Sequence, residues 1–81
     1  MTILQLQILK ILSLGSLHGK ELRDKLKWST SKPGFFQLMG RMKKNKLIEW
    51  SYVRVNDHRE SMYSITSLGK EKLKANLRVL N

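Results

Sequence analysis

Residues 32–46 hold Lys32, Arg41, Lys43, Lys44 and Lys46 and no acidic residue, so half of the net charge of +10 lies in one short segment. Arginine pairs bidentately with guanine edges, glutamine with adenine edges, and lysine meets phosphate as a point charge. Gln37 lies in the same segment. With Phe35, Phe36, Met39 and Met42 turned inward at about 100° per residue, the opposite face carries Gln37, Arg41 and Lys44, flanked by Gly40 and Leu38. An ordinary solvated helix mixes signs, because ion pairs four residues apart support it. Residues 20–27 follow that rule, with Glu21 and Asp24 among their cations. The one-signed face of residues 32–46 predicts a surface for a polyanion. Gly40 costs roughly 1 kcal/mol relative to alanine in a helix. It makes room either for a sugar–phosphate chain or for close packing against the first helix.

A second basic group brackets a turn in Arg54-Val55-Asn56-Asp57-His58-Arg59. His58 there can reach a phosphate, and Asp57 is an ordinary turn former. Trp28 is open to either role, packing or phosphate contact. No arrangement for catalysis is present: no paired acids, no phosphate loop, no nucleophile beside a histidine and acid. There is no cysteine, and His18 and His58 have no partner at ligand spacing, so no metal or cofactor is expected. The chain reads as a binding protein and not an enzyme.

These residues need elements to position them. Thr2 caps a first helix running to Gly15, with Leu4, Ile8, Ile11 and Leu12 as its stripe and Leu6, Leu9 and Leu14 widening it. A helix this apolar is either central in its domain or shared with a second chain. After a turn at 16–19, Leu22 and Leu26 mark a short charged helix over 20–27. Ser31 caps a third helix over about 32–45, Pro33 being harmless in a first turn. Asn45 or Lys46 closes it, Asn45 being the better left-handed residue. Residues 47–55 and 59–66 alternate and form a β-hairpin around Asn56-Asp57-His58. Ser67 caps a last helix to about Leu80 with Leu73, Leu77 and Leu80 as its stripe. The order predicts a mainly α (α+β) fold, a winged helix-turn-helix: three helices, a two-stranded β-wing and a C-terminal helix, with residues 1–81 as one domain.

The chain has 81 residues, with 16 Lys and Arg against 6 Asp and Glu. Its longest apolar-rich stretch, residues 3–17, is too short to cross a bilayer and lacks the flanks of a signal peptide. A cytoplasmic, nucleoid-associated protein without membrane contact is expected.

The placed segments resemble the PadR-like winged-helix transcription regulators, with MarR-like proteins as more distant relatives. Leu17-His18-Gly19-Lys20-Glu21-Leu22 is similar to the small-Gly-Tyr-Glu-Ile start of that family's second helix, Lys20 replacing the tyrosine. Ser31-Lys32-Pro33-Gly34-Phe35-Phe36 resembles the Ser-x-Gly-(Thr)-Leu-Tyr start of its recognition helix. Met39, Arg41, Met42 and Leu47-Ile48-Glu49 resemble the run that follows, with Asn45-Lys46 where the family usually has an acid and a glycine. Tyr63-Ser64-Ile65-Thr66-Ser67-Leu68-Gly69 resembles its Tyr-x-Leu-Thr-x-x-Gly exit from the wing. The likeness covers about residues 3–75. It implies a DNA-binding regulator that dimerises through its last helix, although only about fifteen residues remain for that helix here.

The combined expectation is double-stranded DNA as partner. Residues 32–45 would enter the major groove, and 54–59 would lie on the backbone or in the minor groove. Gln37 and Arg41 would read bases; Lys20, Arg23, Ser31, Lys32, Lys43, Lys44, Arg54, His58 and Arg59 complete the DNA-binding set. A homodimer through the N-terminal and C-terminal helices is expected. The alternative is a winged-helix module that docks an acidic protein. Single-stranded nucleic acid is disfavoured because the third helix, with both phenylalanines in the core, offers no aromatic for stacking.

Overall fold

The computed structural model describes residues 1–28 and 32–80, the side chains of residues 32, 55, 79 and 80 aside. The elements are α1 (Ile3–Leu12), β1 (Leu17–His18), α2 (Gly19–Leu26), α3 (Lys32–Lys44), β2 (Ile48–Val55), β3 (His58–Ile65), α4 (Ser67–Ala75) and α5 (Leu77–Leu80). This is a winged helix-turn-helix.

Thr2 and Gln5 exchange hydrogen bonds at 3.1 Å, each side chain accepting from the other's backbone N–H, and this box starts α1. Leu6, Ile8, Leu9 and Leu12 are buried. The helix touches α2, α4, α5 and β3, so its broad apolar surface is explained by a central place in the domain. It stops at Leu12, short of Gly15, and Leu14 is 89% exposed instead of joining the stripe.

The expected two-stranded wing has a third strand. β1 pairs antiparallel with β3, Leu17 facing Tyr63 and His18 facing Met62, giving the order β1-β3-β2. β2 and β3 pair along their whole length, from Ile48 with Ile65 to Val55 with His58. The turn is therefore only Asn56 and Asp57, both left-handed at φ 53° and 65°. That two-residue geometry suits the strand twist, and Asn and Asp tolerate it. His58 begins β3 and is not part of the turn.

Ile48 and Tyr63 are buried, so the face they share packs on the helices. By alternation the same face carries Trp50, Tyr52 and Arg54 on β2, with Ser61 and Arg59 opposite them on β3. The face is apolar beside the helices and becomes basic toward the tip. The core gathers Phe35, Met39 and Met42 of α3 with α1, Leu22, Leu47, Ile48, Tyr63 and Leu73.

Two helix ends use lysine where glycine is usual. Lys27 (φ 53°) follows α2, and Lys46 (φ 62°) follows α3. After α3 the N–H of Leu47 donates to Met42 O at 3.0 Å and that of Lys46 to Lys43 O at 2.9 Å. These bonds define a Schellman ending with Lys46, not Asn45, as its left-handed residue. The last helix also differs from expectation. Thr66, not Ser67, is its cap: Thr66 Oγ1 accepts from Gly69 N at 2.9 Å and lies within donor reach of Lys46 O and Leu47 O. The helix breaks at Asn76, whose side-chain amide donates to Lys72 O at 2.8 Å, so the expected single helix is α4 followed by α5.

Candidate nucleic-acid interface

Phe35, Met39 and Met42 are 0% exposed. They fix the rotation of α3, and its outer face presents Gln37, Arg41 and Lys44, all exposed. These are the groups expected there. Ser31 lies outside the described residues, and Lys32 opens the helix.

Phe36 departs from expectation. It is 49% exposed and not part of the core. On a helical wheel it lies about 100° from Phe35, whereas Met39 and Met42 fall within about 40° of it. The phase alone singles Phe36 out, although its residue type does not. Its ring meets Phe35 edge-to-face at 5.7 Å, and the Arg23 guanidinium lies 5.8 Å from it and 5.2 Å from Phe35. Arg23 is thus held on two aromatic rings beside the surface. Trp28 packs edge-to-face on Phe35 at 5.4 Å and belongs to the rim of the core.

Lys43 Nζ sits 4.4 Å from the centre of the Trp50 ring. This contact ties α3 to β2 and orients Lys43 toward the sheet, off the face that carries Arg41. Arg54 and Arg59 stand directly opposite each other near the tip, a like-charge pair that is unfavourable by itself. Arg59 lies over the Tyr52 ring at 4.9 Å. His58 points to the other face of the wing by alternation, so it does not join these arginines.

Gly40 has nothing within 4 Å of where a Cβ would be. Packing against α1 is therefore not its reason. Gly40→Ala should raise thermal stability, by up to about 1 kcal/mol, read as a melting shift of roughly 4–8 °C. A lower melting temperature would restore the packing explanation.

Lys20, Arg23, Phe36, Arg59 and Tyr63 line a cleft of about 270 Å³ between α2, α3 and the wing. Gly19 is at its edge, and any Cβ there would be 3.3 Å from both Arg23 Nη1 and the Tyr63 ring. Burial pushes the Tyr63 phenol above its ordinary value, against the lowering effects of a Ser61 hydrogen bond and the Arg23 charge. The phenol therefore stays neutral and adds no negative charge to the cleft. His18 Nδ1 lies 3.4 Å from Glu60 Oε2 on the rim. Among the described residues no group of three or more His, Asp or Glu could hold a metal ion, and no helix is long and apolar enough to cross a membrane.

A PadR-like transcriptional regulator from Bacillus cereus superposes on this structure with a TM-score of 0.81 and 30% identity, over 95% of this chain and 80% of that one. The chain belongs to the PadR-like transcriptional regulators. A PadR family transcription regulator from Clostridium difficile has the same fold, with a TM-score of 0.78, 22% identity and coverage of 95% of this chain and 85% of that one. So does Bacillus subtilis PadR, solved in complex with operator DNA, with a TM-score of 0.81, 23% identity and coverage of 95% and 46%. No protein-family model and no curated protein sequence matches the chain. Within this PadR-like domain, Lys46 in its left-handed conformation adds a further cation at the end of α3.

Proposed function

We infer that this PadR-like protein regulates transcription by binding double-stranded DNA, with α3 in the major groove and the wing along the backbone. One observation carries the reading: the acid-free helix has one wholly buried face and presents Gln37, Arg41 and Lys44 on the other. The complex of Bacillus subtilis PadR with operator DNA supports it. Gln37 and Arg41 read base edges, while Lys20, Lys44, Arg54 and Arg59 meet phosphates. Arg23 and Lys43 act from positions braced on aromatic rings. The protein works by binding, without chemistry of its own, as one domain at the nucleoid in the cytoplasm. Two copies joined through their N-terminal and C-terminal helices, where Ile3 and Leu77 are 58% and 40% exposed, would place the α3 helices on half-sites about one helical turn apart.

The test is binding to unrelated duplex DNA across a salt series. Four to six phosphate contacts per protomer should give a slope of log K against log salt of about −4 to −5. Absence of binding at low salt would remove the DNA reading in favour of docking to an acidic protein.

A further inference from the structure

The cleft between α2, α3 and the wing has features that duplex recognition does not use. Phe36, 49% exposed, forms part of its wall among Lys20, Arg23 and Arg59. Tyr52, 61% exposed, stands directly across from the cleft residue Ser61, with the Arg59 guanidinium over its ring. Two aromatic rings are thus left in water on a basic side of the molecule, each beside a guanidinium. A duplex keeps its bases stacked inside and presents phosphates and groove edges. An unpaired base presents a ring face, which stacks on aromatic side chains whatever its sequence, while nearby cations hold the strand. The volume, about 270 Å³, falls just under the range of about 300–1,000 Å³ for small-molecule sites. It suits one base with its phosphate. Glu60, the one acid among the described residues of the rim, has its Oε2 3.4 Å from His18 Nδ1.

We propose that this cleft binds an unpaired nucleotide, the base stacked on Phe36 and the phosphate held by Lys20, Arg23 and Arg59. The next base along a strand then meets Tyr52. This overturns the sequence-based argument against single strands, which assumed that Phe36 lay in the core. The site does not depend on α3 entering a major groove.

The experiment compares a labelled thymidine oligomer with an abasic oligomer of equal length and charge, both by fluorescence anisotropy at the same salt. The thymidine oligomer should bind at least about fivefold tighter. Phe36→Ala should erase that advantage and Phe36→Trp should keep it. Random duplex binding should stay within about twofold of the parent in Phe36→Trp, and in Phe36→Ala it should fall less than oligomer binding does, because Arg23 keeps its contact with Phe35 at 5.2 Å. Because Phe36 is half-exposed, the fold should survive, which a thermal melt checks. Equal binding of the two oligomers, or an advantage that persists in Phe36→Ala, overturns the proposal. Loss of duplex binding with the advantage intact would instead count against the DNA-regulator reading alone. Thymidine monophosphate as competitor separates two sources of the same chemistry. Displacement of the oligomer identifies a free nucleotide, its failure identifies a strand, and each supports the assigned contacts.

Discussion

Gly69→Ala should destabilise the protein by about 3 kcal/mol or more, which for a domain of this size is a fall in melting temperature of roughly 10–25 °C. The reason is steric, because Gly69 has ordinary helical backbone angles. A Cβ there would collide with the carbonyl oxygen of Leu47 and lie 2.9 Å from Ile65 Cγ1. That carbonyl accepts from Thr66 N at 3.1 Å and is within 2.9 Å of Thr66 Oγ1, which itself caps α4 through Gly69 N. The clash therefore strikes backbone that is already fixed from two sides, where no side chain can swing away. It would separate the start of α4 from the residue linking α3 to β2, and with it the anchoring of Leu73 in the core. Gly40→Ala is the matched control, adding the same methyl in open space on a helix. A Gly69→Ala protein that melts within a few degrees of the parent would show that the Thr66 cap and Leu47 are free to move, contrary to this account.

The contrast between these glycines shows which parts of the structure could be inferred from sequence. Long periodic segments were legible: α1, α3 and the β2–β3 hairpin follow from apolar spacing, and the acid-free run follows from counting charge. Most of the features that escaped inference depend on contacts between distant segments. β1 is two residues long, too short for any alternation, and exists because β3 offers a free edge to Leu17 and His18. Thr66 and Ser67 are equally good caps by type; the nearby carbonyls of Lys46 and Leu47 decide for Thr66. Apolar periodicity continues through Leu73 and Leu77, so it could not announce the break at Asn76, where a side chain bonds back to Lys72.

The candidate surface was legible in its charge and less so in its aromatic partners. Arg23, Lys43 and Arg59 look like three free cations in the sequence, yet each lies within 6 Å of an aromatic ring. Such contacts leave the charge in place and restrict where it points. Lys43 consequently faces Trp50 and the sheet, as its helical phase, about 80° from Phe35 and at least about 100° from Gln37, Arg41 and Lys44, allows. Hydrophobicity alone puts Phe36 in the core, but its phase, about 100° from Phe35, lies outside the arc that Phe35, Met39 and Met42 turn inward. The outer face of α3 is left to Gln37, Arg41 and Lys44, and that narrows the set of residues able to read bases.

Arg41→Ala should therefore lower affinity for a site selected from random DNA by about 1–3 kcal/mol, while affinity for random duplex falls much less. Arg41 is exposed, so the melting temperature should hardly change. The asymmetry follows from geometry. A guanidinium that donates two hydrogen bonds to a guanine edge loses them at the specific site, whereas on random DNA it contributes only charge. Lys44→Ala should behave differently, weakening binding about equally on all sequences and reducing the salt slope by about one. Measuring both variants on both DNAs separates the two roles without a structure of the complex. If Arg41→Ala costs the same on selected and random DNA, Arg41 is a phosphate contact, and base reading on this helix falls to Gln37 alone.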